Sequence, residues 1–268
     1  MIVEGFFLIY QDAIWVVKGV DVCEKYALAI PKYDLRGRKL KHEIVLKLFV
    51  EHSSPSDCSP KPMPLIPLSD AEVIDPRDLL DADQIAKDMA SIFSCKAGLT
   101  GSRAWGEGDD VDLIFYGREC EREVLSVMKD LRVRGVTRPP KSGKWDGLGL
   151  GARLYRMNKS LLEGVWHNVR YSFRIVGEPR SPRRPVGVTK LKLCGLLRPI
   201  SNIVMPYTYE LNYDGGKIRV ESLRMQHSEL GEVQVCIEGV MESRIDGTVL
   251  ALPPGSKLDV LNWRKQWS

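Results

Sequence analysis

Short runs of alternating apolar and polar positions dominate both ends of the chain, and helical spacing is confined to the middle. Near the N-terminus, residues 6–10, 14–20, 26–30 and 43–50 are short and rich in β-branched and aromatic side chains, which predicts strands. Gln11-Asp12 between the first two predicts a tight hairpin. Residues 34–41 read as a basic, turn-like loop. The proline-rich stretch 53–69 reads as a linker to the next domain.

Asp75-Pro76 is a helix-start signal, and Leu79, Leu80, Ile85, Met89, Ile92 and Phe93 supply an apolar stripe, predicting a helix to about residue 94. A strand over 97–99, a second helix over 118–131 and helical spacing over 152–162 follow, with 138–151 loop-like. Residues 169–176 alternate cleanly: Val169, Tyr171, Phe173 and Ile175 face one way, and Arg170, Ser172 and Arg174 the other. After the basic run 180–185, the chain turns β-rich again over 188–196, 203–211, 217–223, 232–240 and 248–252. Turn signals at Asp214-Gly215-Gly216, Glu229-Leu230-Gly231 and Asp246-Gly247 separate several of these runs, a pattern that predicts a small closed barrel of OB-like character.

The densest chemical signal lies over 101–114. Gly101-Ser102 forms a turn, residues 103–109 connect it onward, and an apolar strand then begins with Asp110-Val111-Asp112. Residues two apart on a strand share a face, so Asp110 and Asp112 project together. Carboxylates held that close repel unless a divalent cation lies between them. Gly101 and Ser102 stand where backbone N–H groups would receive phosphate. The plainer reading is a turn at Asp109-Asp110 followed by a solvated strand residue at Asp112.

The stretch from Gly101 to Gly106, with its apolar-flanked Asp-x-Asp, resembles the nucleotidyltransferase superfamily typified by DNA polymerase beta. Seven residues separate Ser102 from Asp110, a shorter connection than the family usually has. The resemblance covers residues 80–178 and is most specific over 99–116. The β-rich flanks are similar to a group of archaeal predicted nucleotidyltransferases. Together these imply an α+β chain: an N-terminal β domain (1–68), a nucleotidyltransferase-type α/β core (69–180) and a C-terminal small OB-like β-barrel (181–268). The resemblance implies Mg²⁺ or Mn²⁺ on Asp110 and Asp112, with Gly101, Ser102 and Arg103 at the phosphates of a nucleoside triphosphate and Arg170 and Arg174 neutralising charge. Strand 169–176 lacks the family's third carboxylate, which leaves Glu178 reaching back, another acid, or a two-carboxylate site.

Charge sharpens this reading. The chain carries a formal +4, yet residues 117–190 hold 17 Lys and Arg against 7 Asp and Glu. Positive charge placed just after the carboxylate pair suits an anionic substrate. Lys141, Lys144, Arg153, Arg156, Arg183 and Arg184 are candidates for tracking a nucleic-acid backbone. Lys159 extends the set, and Trp145, Tyr155 and Trp166 are placed to stack bases. An ordinary solvated basic face over core aromatics is the alternative. Ser142-Gly143-Lys144 lacks the upstream glycine of a P-loop, and Gly147-Leu148-Gly149-Leu150-Gly151 lacks the context of a dinucleotide site. The six cysteines have no C-x-x-C spacing, which argues against zinc and for a reducing cytoplasm. No apolar run reaches about 18 residues, so no membrane span is expected, and the N-terminus reads as a strand, not a signal peptide.

Two functions follow as expectations. One is a Mg²⁺-dependent enzyme that transfers a nucleoside monophosphate to an acceptor hydroxyl, with RNA favoured as acceptor. The other is a non-catalytic nucleic-acid-binding protein built on a degenerate version of the same site.

Overall fold

The computed structural model describes residues 1–56, 59–143, 145–182, 185–244 and 246–261. In chain order the elements are β1 (Phe7–Tyr10), β2 (Ala13–Val17), β3 (Tyr26–Asp34), α1 (His42–His52), β4 (Ser53–Ser56), β5 (Ser59–Pro67) and β6 (Glu72–Ile74). A 3-10 turn (Pro76–Ala82), α2 (Gln84–Ala90), β7 (Ala97–Thr100), a second 3-10 turn (Arg103–Trp105), β8 (Asp110–Tyr116) and α3 (Cys120–Val133) come next. Then come β9 (Thr137–Arg138), α4 (Leu150–Lys159), β10 (Glu163–Trp166) and β11 (Val169–Val176). The C-terminal strands are β12 (Gly187–Ser201), β13 (Val204–Met205), β14 (Tyr207–Tyr213), β15 (Gly216–Ser222), β16 (Val233–Arg244), β17 (Gly247–Ala251) and β18 (Lys257–Val260).

This inventory corrects the expected fold class. The described residues are mostly strand and lie in three sheets, and their helices are too few for a DNA polymerase beta-like α/β core. The chain divides into two compact units, Met1–Val127 with Val169–Arg184, and Met128–Asn168 with Pro185–Ser268. The N-terminal β segment and the Asp-x-Asp strand therefore belong to one unit.

In that unit the first sheet has the order β4-β5-β3-β2-β1-β6. The β1–β2 hairpin closes at Gln11 and Asp12, both with positive φ, as the sequence predicts. Residues 43–50, expected as a strand, instead form α1. Val45, Leu48, Phe49 and His52 are its half-buried positions, at the i, i+3, i+4, i+7 spacing of one helical face. A nearly unbroken apolar run hid that stripe. The stretch expected as a linker is also structured: β4 and β5 pair with each other, and β5 pairs with β3 through Ala27↔Ile66 and Leu28↔Leu65. Pro62 and Pro64, two apart, lack donors on the same side of the strand, which leaves the intervening N–H groups for the other neighbour.

The second sheet of this unit runs β7-β8-β11. The predicted helix over 75–94 is broken in two at Asp83. Asp75 caps the 3-10 turn by accepting from the Arg77 amide at 2.9 Å, and Asp83 caps α2 by accepting from the Ala86 amide at 2.8 Å. Strand β8 pairs antiparallel with β7 and parallel with β11. Phe93, Phe115 and Phe173 meet edge-on with ring centroids 5.1–5.8 Å apart, forming the core behind β8. A disulfide joins Cys95 to Cys120.

In the second unit the C-terminal strands form a six-stranded sheet, β12-β14-β15-β17-β16-β18, in which β12 also pairs with β16. These pairings run in a ring, β12-β14-β15-β17-β16 and back to β12, and the last strand, β18, is absent from the sequence reading. Helix α4 is anchored from β18: Asp259 accepts from the Ala152 amide at 3.1 Å. A side chain on Gly151 would fall 1.9 Å from the Val260 carbonyl. The glycine run that suggests a cofactor loop is thus a close-approach device for packing α4 on β18. Cys194 and Cys236, directly opposed on β12 and β16, form a disulfide.

Candidate functional site

The register between β8 and β11 sets the site. Asp110 lies opposite Arg170, Asp112 opposite Ser172, and Ile114 opposite Arg174. The carboxylate pair therefore faces a row of Arg, Ser and Arg. Asp110 is the outer member: its carboxylate lies 3.7 Å from the Arg170 guanidinium, with both side chains about half exposed (47% and 49%). Asp112 is the inner member and accepts a short hydrogen bond from the Ser172 hydroxyl. Burial pushes its carboxyl up. Ser172, Lys32 and Arg174 pull it down, and the neighbouring Asp110 adds to the rise.

Gly101 sits directly on Asp112. Its φ is +76°, and a side chain there would fall 2.2 Å from Asp112 Oδ2. Only glycine lets the turn close over the carboxylate. Ser102 is in helical conformation without a capping hydrogen bond, and its carbonyl accepts from the Trp105 and Glu107 amides at 3.1 Å. The helix that follows is a single 3-10 turn of three residues. So short a turn leaves no stack of aligned peptide dipoles behind Gly101 and Ser102.

Other residues assigned from the sequence take different places. Arg103 is held by Asp83 at 2.5 Å, and its guanidinium reaches the Gly108 carbonyl at 3.4 Å. Arg174 pairs with the buried carboxylate of Glu4. Glu178 cannot reach back. The parallel register puts the carboxylate pair at the start of β11, whereas Glu178 lies beyond its far end, six residues past Ser172 and about 20 Å along the strand. Arg156 is fully buried. It bonds the Gln226 and Ser228 carbonyls at 3.2 and 3.0 Å and pairs with Glu163 at 2.9 Å, so it is a structural cation of the second unit. Trp145 and Tyr155 are core residues, not stacking platforms: the Trp145 indole donates to Glu163 at 3.2 Å, and the Tyr155 hydroxyl accepts from the Gly231 amide at 3.0 Å. Lys141 and Arg153 are exposed, Arg153 also donating to the Leu148 carbonyl at 2.8 Å. Lys144, Arg183 and Arg184 lie outside the described residues.

The N-terminal sheet contributes groups that sequence reasoning places in a separate domain. Glu4 is buried. Burial raises its carboxyl, but Lys18 at 3.0 Å, Arg174 and the Gly19 amide at 2.7 Å outweigh that and hold it below the usual range. Its carbonyl accepts from the Tyr116 hydroxyl at 3.1 Å. The backbone at Gly37 abuts Trp105, and Phe7 meets the Trp105 ring edge-on at 5.1 Å, so β1 and the end of β3 pack on the turn after Gly101. Lys32 and Tyr33 on β3 feel the Asp112 charge. Burial and that carboxylate both raise the phenol of Tyr33. The one sequence signal for this was alternation, which marks Tyr33 as an inward residue of β3.

Asp110 and Asp112, on one face of β8 with Arg170 beside Asp110, are a donor set that could take one divalent cation with anionic ligands. Among the described residues, no group of three or more His, Cys, Asp and Glu side chains is arranged to hold a metal. Among the described residues, no helix is long and apolar enough to cross a membrane. The disulfides Cys95–Cys120 and Cys194–Cys236 point to an oxidising setting and give no support to the cytoplasmic expectation. No protein-family model, curated protein or solved structure matches this chain.

Proposed function

We propose that Asp110 and Asp112 form a divalent-cation-dependent site for a nucleoside triphosphate, from which the nucleoside monophosphate passes to an acceptor hydroxyl. The observation that carries this is their shared face on β8, with Asp112 closed against a turn that only glycine permits and with Arg170 beside Asp110. Asp110 and Asp112 would hold Mg²⁺ or Mn²⁺, which would supply charge neutralisation for the triphosphate. Asp112 is harder to ionise than an ordinary carboxyl, and a bound cation relieves that. Arg170 binds phosphate oxygens. The acceptor oxygen attacks the α-phosphorus, the α–β anhydride bond breaks, pyrophosphate departs and the hydroxyl proton goes to water. RNA as the acceptor rests on the basic composition of 117–190.

A second reading is favoured by one observation: β11 offers Arg170, Ser172 and Arg174 to the carboxylates and no third acid. In that reading the protein binds nucleotide or nucleic acid without catalysis. The test is incubation with each α-labelled nucleoside triphosphate, Mg²⁺ and an RNA pool. The catalytic reading expects pyrophosphate release and label transfer, both lost in Asp110→Asn with Asp112→Asn. Binding without pyrophosphate release would support the second reading and overturn the first.

A further inference from the structure

In the second unit, strand β12 changes partners along its length. Residues 187–197 pair with β16 on one side, and the Val186 amide extends that contact to the Ser243 carbonyl at 2.7 Å. On the other side, β14 pairs only from Leu196 onward. A side chain on Gly195 would fall 2.0 Å from the Asn212 carbonyl, which marks where β14 arrives. Among the described residues, no strand pairs with the outer side of 187–194. This edge is about 27 Å long, and alternate residues along it turn their N–H and C=O groups outward. The disulfide Cys194–Cys236 ties it to β16. Val188, Lys190 and Lys192 share one face of the strand and are exposed, whereas Leu191 and Leu193 are half-buried on the other. The first face carries surplus positive charge. Lys192 and Lys257 share the one carboxylate of Glu238, at 3.6 and 3.0 Å. Lys190 lies opposite Val240 and so has no cross-strand acid. Glu242, opposite Val188, is buried and pairs with Arg244 at 2.7 Å.

We propose that the outer edge of β12, residues 187–194, takes an extended acidic peptide as an added strand. Main-chain hydrogen bonds along the edge supply affinity, and the two faces supply selection. Carboxylates at alternate positions of the peptide lie over Lys190 and Lys192, and apolar side chains between them lie over Leu191 and Leu193. The strand is held in place on its other side before a ligand arrives, which lowers the ordering cost of binding. A second copy of the chain suits the edge less well. Antiparallel pairing of the edge with itself about Leu191 would set lysine against lysine, and like charges directly opposed are unfavourable. The inference is independent of the nucleotide reading, since it uses only strands of the second unit.

The experiment uses the full chain as wild type and Lys190→Glu. The probes are a labelled, capped peptide of alternating Glu and Val, its Lys and Val counterpart, and the Glu and Val peptide N-methylated along its backbone. Fluorescence anisotropy reads binding, and amide hydrogen exchange locates it. Wild type is expected to bind the Glu and Val peptide and neither of the others, with new protection confined to amides of 187–194. Lys190→Glu should melt at the same temperature and bind the Glu and Val peptide about fivefold or more weakly, because one cross-strand ion pair becomes a like-charge pair. Equal binding of the N-methylated peptide would overturn strand addition. Equal binding of the Lys and Val peptide, or unchanged affinity in Lys190→Glu, would overturn the acidic partner. Protection elsewhere, or no binding of any peptide, would overturn the site. Protection of 187–194 that grows with protein concentration alone would assign the edge to a second copy and overturn the proposal. If Lys190→Glu melts lower, the three peptides on wild type still decide.

Discussion

At the scale of single residues, Asp112 carries an ionisation conflict that can be read from outside. Burial is the largest influence on its carboxyl, and the net effect is upward from 3.8. The folded chain therefore holds the proton more tightly than the unfolded chain. Stability is full below the ordinary carboxylate value and falls as pH rises from there through the raised folded value. Asp112→Asn keeps a partner for Ser172 and removes the charge. The variant should match wild type on the acid side of that window and exceed it at neutral pH, as read by urea midpoints at the two conditions. His227 gives the opposite slope. Burial, then the Arg224 and Arg156 charges, push it down to about 3, so it contributes stability above 6.5 that is lost as pH falls from there towards 3. His227→Gln should flatten that acid limb in a pH series of melting temperatures. Gly101→Ala is a steric test: positive φ costs about 1–2 kcal/mol, and the contact with Asp112 adds to it. The Gly-Ser turn and the Asp pair were legible from residue type and spacing. Their partners were not, because Ser172 reaches Asp112 and Arg170 reaches Asp110 through strand pairing, which local pattern does not encode.

At the scale of elements, sequence pattern succeeded where one face is buried and failed where burial is partial or two-sided. The limits of β11 at 169 and 176 match its alternation residue for residue. Helix α1 was misread because its apolar residues run on without polar punctuation. Helix α4 was located, but its inward cation was not recognised: Arg156 sits in a basic, surface-like sequence and is fully buried. It pairs with Glu163 at 2.9 Å and approaches Glu229 at 3.9 Å. Arg156→Met should cost about 3 kcal/mol or more in chemical denaturation, because it leaves buried carboxylates without their counter-charge. A loss well under 1 kcal/mol would return Arg156 to the surface set. Other cations of 117–190 are also paired within the chain, Arg180 with Asp21 in a half-buried pair and Arg134 with Asp130 on the surface.

At the scale of the molecule, the chain is two compact β-rich units, and the boundary does not follow the linear order of domains read from composition. The first unit collects the N-terminal sheet, the Asp-x-Asp strand and β11, so the candidate site draws on segments more than a hundred residues apart. Disulfides lie within each unit, Cys95–Cys120 in the first and Cys194–Cys236 in the second. Reduction should lower the melting temperature, by an amount corresponding to about 2–4 kcal/mol per crosslink. An unchanged melting curve under reductant would remove the argument for an oxidising setting. The claim on which the functional account depends is that the Asp110–Asp112 pair binds a triphosphate through a cation. Its most direct test is calorimetric titration of each nucleoside triphosphate, with Mg²⁺ and with EDTA, into wild type and the Asp110→Asn, Asp112→Asn double variant. The account predicts binding that requires Mg²⁺ and disappears in the double variant. Binding that persists in EDTA or in the variant, or no binding of any triphosphate to wild type, would contradict it.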